Sequence, residues 1–327
     1  MLCSVVMALF TACAVERPIA ELPLSRDFVI PVSLAGQQVR MVLDTGCSRS
    51  VLASAARQRL TLPARSGAAI RATDATGAVR RVTTFVRTRD MRLGAIPYED
   101  AEVLELPLGE WFEVDGLLGL DVARCVSWIF DPFKGRAVAM WPDQLQAQLL
   151  RHGLYIDSEA SLQLDAERNR LFVEIRCNDR PHVILLDTGA QRTSLPMQVI
   201  EGLGLPGGAA LLRDQQREHA ESIARVIGGA RQVEVVTTHE GPAISTGLHG
   251  ERRRRDVFHL SRLRLGSSDH HDLVVWDAPE GSQGFLGRDV LGEVVWAIDW
   301  RRNALLLLKR RGVDRAEVDG QTASTAR

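Results

Sequence analysis

The chain has 327 residues, 45% hydrophobic and 25% charged, which is the composition of a globular protein with room for one large domain or two. That balance excludes a disordered or fibrous chain. The formal net charge of -1, from 40 basic and 41 acidic residues, excludes a global pull toward nucleic acid or an anionic membrane, so any charge preference is local.

The chain opens on an apolar run, Met1 to Ala12, too short to span a bilayer but of the length of a secretory h-region. It ends in Phe10-Thr11-Ala12-Cys13, which is similar to the lipobox of bacterial lipoproteins, although no Lys or Arg precedes the run and Phe10 is unusual there. Residues 1–20 are read as a signal peptide or lipoprotein-type leader, with a misplaced start or a buried first strand as the alternatives. The expected location is export, periplasmic or membrane-anchored through Cys13; a cytoplasmic location stays open. Of the five cysteines, Cys47, Cys125 and Cys177 lie beyond this leader. Their odd number and irregular spacing form neither a disulfide framework nor a zinc pattern, and buried free thiols are expected.

Next in the chain, Phe28 to Leu34 and Val39 to Leu43 flank a turn at Ala35-Gly36 and predict a hairpin leading into Asp44-Thr45-Gly46. A short helix is predicted from Ala53 to Leu60. A second hairpin has its tip at Thr73 to Gly77, and Met91-Arg92-Leu93-Gly94 follows. The block Gly116-Leu117-Leu118-Gly119-Leu120-Asp121 comes after these, with Trp128 and Asp131 beyond it. A short linker, Asp143 to Leu150, carries a helical pattern.

The same order then returns. Leu171 to Arg176 and His182 to Leu186 flank Asn178-Asp179 and lead into Asp187-Thr188-Gly189, 143 residues after the first copy. Leu60, Leu62 and Pro63 lie 16, 18 and 19 residues after Asp44, and Leu203, Leu205 and Pro206 stand at the same distances from Asp187. A helix starting near Pro196 matches the first helix. A hairpin tip at Thr246 to Gly250, then Leu263-Arg264-Leu265-Gly266, precede Gly284-Phe285-Leu286-Gly287-Arg288-Asp289. Trp296 and Asp299 repeat the spacings of Trp128 and Asp131. Blocks repeated in one order point to internal duplication. The second copy carries an insertion of roughly 30 residues, about Gly207 to Glu240, with a polar helix-favouring stretch from Arg213 to Arg225. The end, residues 312–327, reads as a disordered polar tail.

On these motifs each half resembles the retropepsin-like aspartic protease family, and the tandem resembles the two-lobed pepsin plan. The resemblance covers roughly residues 28 to 310. It implies a mainly β fold of two homologous β-barrel-like lobes, 21–145 and 146–311, with a substrate cleft between them. It implies Asp44 and Asp187 as the catalytic pair, with Thr45, Gly46, Thr188 and Gly189 supporting their loops. Gly77 and Gly250 are implied at the flaps, and Leu118, Gly119, Leu286 and Gly287 packing behind the loops. The implied activity is aspartic-type endopeptidase on peptide or protein substrates, without metal or cofactor, in a monomer whose halves form an intrachain pseudo-dimer. The chemistry fits the residues: two adjacent carboxylates cannot both ionise cheaply, so the pair holds one proton and offers an acid and a base to a water molecule.

The sequence also departs from the family. Pepsins place Ser or Thr directly after Asp-Thr-Gly, where Cys47 and Ala190 stand here, which predicts activity nearer neutral pH. No tyrosine stands at a flap tip, and Gln191 occupies a position that is acidic in retroviral enzymes. Bland readings cover the remaining motifs. Asp269-His270-His271-Asp272 is read as a solvated turn rather than a metal cluster, and Arg252 to Arg255 as a solvated hairpin edge or an attractor of acidic substrate segments. Cys47 is read as a packed thiol, and Trp128 and Trp296 as core. The alternative functions are a non-catalytic peptide-binding protein on the same scaffold and an enzyme in which each half pairs with another chain.

Overall fold

The computed structural model describes residues 19–73, 79–88, 90–98, 101–108, 113–208, 211, 243–246 and 252–311. Residues 1–18 of the predicted leader, the flap tips with Gly77 and Gly250, nearly all of the insertion and the polar tail lie outside the described residues, while Ala20, the last residue of the predicted leader, opens the strand Ala20–Pro23. The described chain is mainly β, in a twelve-stranded sheet, a nine-stranded sheet and a two-stranded ribbon.

Turn chemistry sets the two equivalent hairpins. Strands Val29–Leu34 and Gln37–Leu43 join through Ala35 and Gly36, both at positive φ (50° and 72°). Strands Arg180–Leu186 and Arg170–Cys177 join through Asn178 and Asp179 (45° and 67°). Two consecutive left-handed residues give the turn whose twist matches the flanking strands. The first helix is Ser54–Arg59; the second is Met197–Leu203, with Pro196 one place before it in extended conformation rather than as its first residue.

The core is organised by strands that neither half could complete alone. The order Ala20–Pro23, Arg136–Met140, Ser127–Asp131, Val295–Asp299, Ala304–Arg310, Leu154–Asp165 runs continuously, with the first half supplying the first three and the second half the rest. The halves meet where Ser127–Asp131 pairs antiparallel with Val295–Asp299, Ile129 opposite Ala297. Both strands are buried at every position, because both faces are covered. On one face Phe130 stacks on Trp296 at 4.0 Å and on Trp128 at 5.7 Å between ring centroids. Each indole donates to a backbone carbonyl five residues back, Trp128 to Ala123 and Trp296 to Leu291. On the other face Ile129 and Ala297 lie under the helix Leu145–Arg151, which presents Leu145 and Leu149 to them. That helix and the 3₁₀ turn Pro142–Gln144 are the predicted linker.

Three local expectations are corrected. Residues 269–272 lie in the strand Ser268–Asp277, not in a turn, because Asp269 makes cross-strand ion pairs with Arg262 and Arg264. The run Arg252–Arg255 is a ribbon strand, but its last member is buried, 3% exposed, and donates to the Asp277 carbonyl at 3.1 Å. Of the three thiols only Cys177 is fully buried, and Cys125 is exposed.

Because Phe130 joins aromatic groups from both halves, Phe130→Ala is expected to cost about 3–5 kcal/mol and to lower the midpoint of a single cooperative transition. Calorimetry resolving two transitions, with only one displaced, would contradict a shared core.

Candidate active site

Each Asp-Thr-Gly loop starts where a hairpin strand runs into a short parallel partner. Gln37–Leu43 lies beside Gly116–Leu118, Leu43 opposite Leu118, and the Leu118 carbonyl accepts the Asp44 N–H at 2.9 Å. Arg180–Leu186 lies beside Phe285–Leu286 in the same way, and Leu286 accepts the Asp187 N–H at 3.1 Å. Both leucines are fully buried, so the repeated apolar-Gly blocks form the floor under the loops.

The structure brings Asp44 and Asp187 together. Each carboxyl packs against the third residue of the other's loop. A Cβ placed on Gly46 would stand 2.3 Å from the Asp187 carboxyl carbon, and one on Gly189 would stand 2.5 Å from that of Asp44. No side chain fits at either place, which explains glycine at the third position of both loops. Each aspartate also accepts two backbone N–H groups at one oxygen. Asp44 Oδ1 receives Gly46 and Cys47 at 3.0 Å, and Asp187 Oδ1 receives Gly189 and Ala190 at 2.9 Å.

The threonines tie the loops across the junction. Thr45 Oγ1 donates to the Leu186 carbonyl at 2.7 Å and accepts the Thr188 N–H at 3.1 Å. Thr188 Oγ1 donates to the Leu43 carbonyl at 2.5 Å and accepts the Thr45 N–H at 3.0 Å. Both residues are buried, so these reciprocal bonds lie out of competition with water.

A brace behind each loop escaped the sequence reading. Asp121 accepts the Ser50 N–H at 2.8 Å and its hydroxyl at 2.7 Å, while Ser50 Oγ accepts the Gly119 N–H at 3.0 Å. Asp289, Thr193 and Gly287 repeat this at 2.9, 2.7 and 3.1 Å. Gly119 and Gly287 therefore link their floor blocks to the far end of each loop. The available signal was in the repeat itself, since Asp121 and Asp289 close equivalent blocks and Ser50 and Thr193 occupy equivalent places. Two further links cross between the halves: Asn169 Nδ2 donates to the Ser48 carbonyl at 2.6 Å, and Arg288 pairs with Asp27 at 2.7 Å.

Burial sets the electrostatics. It raises the Asp44 pKa well above the ordinary carboxylate range, and the charge of Asp187 raises it further. Burial also raises Asp187, against the backbone bonds from Ala190 and Gly189 and the charge of Arg288, which favour its ionised form. The two groups therefore titrate as a pair, which holds a proton above the ordinary carboxylate range. Cys47, whose Sγ donates to the Arg49 carbonyl at 2.9 Å, is pushed up by burial and by Asp44, and stays a neutral thiol.

The family model described as aspartyl protease matches residues 30–122, a span that includes Asp44, Leu118, Gly119 and Asp121. This supports an aspartyl protease family and aspartic-type peptidase chemistry. Comparison with curated proteins gives no match.

A carboxyl whose pKa is raised on folding holds its proton longer in the folded state, so folding stability falls as pH rises from the unfolded value near 4 through the folded one. Asp44→Asn removes that loss and keeps an acceptor for the Gly46 and Cys47 N–H groups. The variant is expected to melt higher than the wild type at pH 7, with the gap closing near pH 4. A gap that widens toward pH 4 would mean that Asp44 is ionised at no cost in the folded protein.

Proposed function

We propose that the chain is an aspartic-type endopeptidase in which Asp44 and Asp187 act as one dyad on a water molecule. The observation that carries this reading is the convergence of two carboxyls, one from each copy of the repeat, each pressed against the glycine of the other's loop, with desolvation raising the pKa of both. In the one-proton state Asp187 is the base and Asp44 the acid. Asp187 takes a proton from the water as its oxygen bonds to the peptide carbonyl carbon, and Asp44 gives its proton to the carbonyl oxygen, leaving a neutral gem-diol. Asp187 then returns its proton to the amide nitrogen while Asp44 recovers one from a diol hydroxyl. The C–N bond breaks to release an acid and an amine. The dyad ends with the single proton it began with, and no covalent intermediate forms.

The two ribbon-like hairpins, Ala64–Thr73 with Val79–Thr88 and Ala243–Thr246 with Arg252–Arg255, are proposed as the flaps over an extended peptide, which their edges can pair as an added strand. Halves joined through one sheet favour an active monomer. Export, with attachment through Cys13, is the companion proposal; it rests on the apolar run that ends there.

Asp187→Asn is expected to lower cleavage of a mixed peptide library at least about a thousandfold while the circular dichroism spectrum is unchanged; turnover close to wild type would remove the dyad. For the wild type, a statine-type transition-state mimic is expected to block cleavage. The rate should follow a bell in pH, with both limbs above the ordinary carboxylate value because both members of the pair are raised. A maximum in strong acid would contradict this placement.

A further inference from the structure

The two halves differ on the sheet face turned away from the main core. Alternate residues of a strand face opposite sides of the sheet. In the first half Leu43, Leu52, Val103 and Leu118 enter the main core. Their neighbours Val42, Val51, Leu104 and Leu117 lie on the other face and form an apolar cluster with Val82 and Phe85. In the second half Leu186, Leu195, Val275 and Leu286 enter the core. The corresponding neighbours are Leu185, Ser194, Trp276 and Phe285.

The strand registers make this correspondence strict. Val51 stands opposite Leu104 and next to Leu117; Ser194 stands opposite Trp276 and next to Phe285. Where the first half has two apolar side chains, the second has a hydroxyl and an indole N–H. Ser194 is 5% exposed, and both its Oγ and Trp276 Nε1 are buried without a hydrogen-bond partner among the described residues. Burying such groups unpaired is unfavourable, and two of them side by side on one ladder call for a ligand that completes them. The strand that carries Ser194 follows the Asp187 loop directly.

We propose that Ser194 and Trp276 form a side-chain subsite for a carboxamide, Asn or Gln, on the second half's side of the scissile bond, opposite an aliphatic subsite at Val42, Val51, Leu104 and Leu117. The inference rests on the peptidase reading and adds a substrate class to it. Trp276 Nε1 donates to the amide oxygen, and Ser194 Oγ accepts from the amide nitrogen. A carboxylate would satisfy the indole but meet the charge of Asp187 on the same wall. Arg255, on the adjoining chain segment, is already engaged by Asp277, at 3.1 Å to its carbonyl and 3.9 Å to its carboxylate. An aliphatic side chain would leave both polar groups unpaired.

The test uses the full chain and peptides identical except for Gln, Asn, Glu, Leu or Ala at one position on each side of the bond. On one side Gln or Asn is expected to exceed Leu in kcat/KM by roughly tenfold or more, with the order reversed on the other. Ser194→Val, which copies the first half, and Trp276→Phe, which keeps the ring and removes the N–H, should each reduce that preference about tenfold, the first turning it toward Leu. Equal rates for Leu and Gln, a lead for Glu, or a preference that survives both substitutions overturns the subsite. Reduced-amide versions of the same peptides separate the two proposals by their Kd. Tighter binding of Gln over Leu with no peptide cleaved keeps the subsite and removes the peptidase; cleavage without preference removes the subsite alone; neither cleavage nor binding overturns both.

Discussion

Everything in this molecule depends on holding two carboxyl groups closer than two anions would settle. The fold does so with the reciprocal bonds of Thr45 and Thr188, each hydroxyl reaching a carbonyl that precedes the other half's aspartate. Because every donor and acceptor in that exchange belongs to one of the two loops or to the strand residue just before it, neither loop can shift without breaking bonds on both sides. The backbone N–H groups at Asp44 and Asp187 orient the side chains, and the glycines at 46 and 189 leave the space into which the carboxyls press. The raised proton affinity of the pair follows from that crowding and from burial, not from any additional charged residue.

Rigidity at the centre is maintained in layers. Behind each loop, Ser50 with Asp121 and Thr193 with Asp289 connect the loop's far end to the floor strand, so both ends of each loop are anchored. Behind the floor lies the aromatic stack of Trp128, Phe130 and Trp296. The half-buried acids Asp121 and Asp289 also have pKa values raised by desolvation, opposed by the bonds they accept from Ser50 and Thr193. Positional precision thus carries a stability penalty that the large shared core offsets.

Much of this was legible from residue order. Left-handed turn residues located the hairpins, and the repeat located the loops, because Asp-Thr-Gly with apolar flanks recurs with its neighbours at fixed distances. The strands that join the halves were not legible. Ser127–Asp131 and Val295–Asp299 are covered on both faces, so they lack the alternation that marks a half-buried strand, and no local pattern says which distant segment they pair with. The braces escaped for a different reason: Ser50 and Asp121 are polar residues next to turns, and polarity there ordinarily means solvent. The strand at Ser268–Asp277 was mistaken for a loop because charged residues head it, and only the cross-strand partners Arg262 and Arg264 explain their presence.

The antiparallel seam at Ile129 and Ala297 has a consequence beyond stability. A site assembled from two identical copies must carry every substitution twice, once on each side of its symmetry axis. Here the copies are joined in one chain, so assembly does not depend on dilution and each can diverge without the other. Val51 in one copy and Ser194 at the equivalent place in the other is the kind of unevenness that a symmetric pair of chains could never encode.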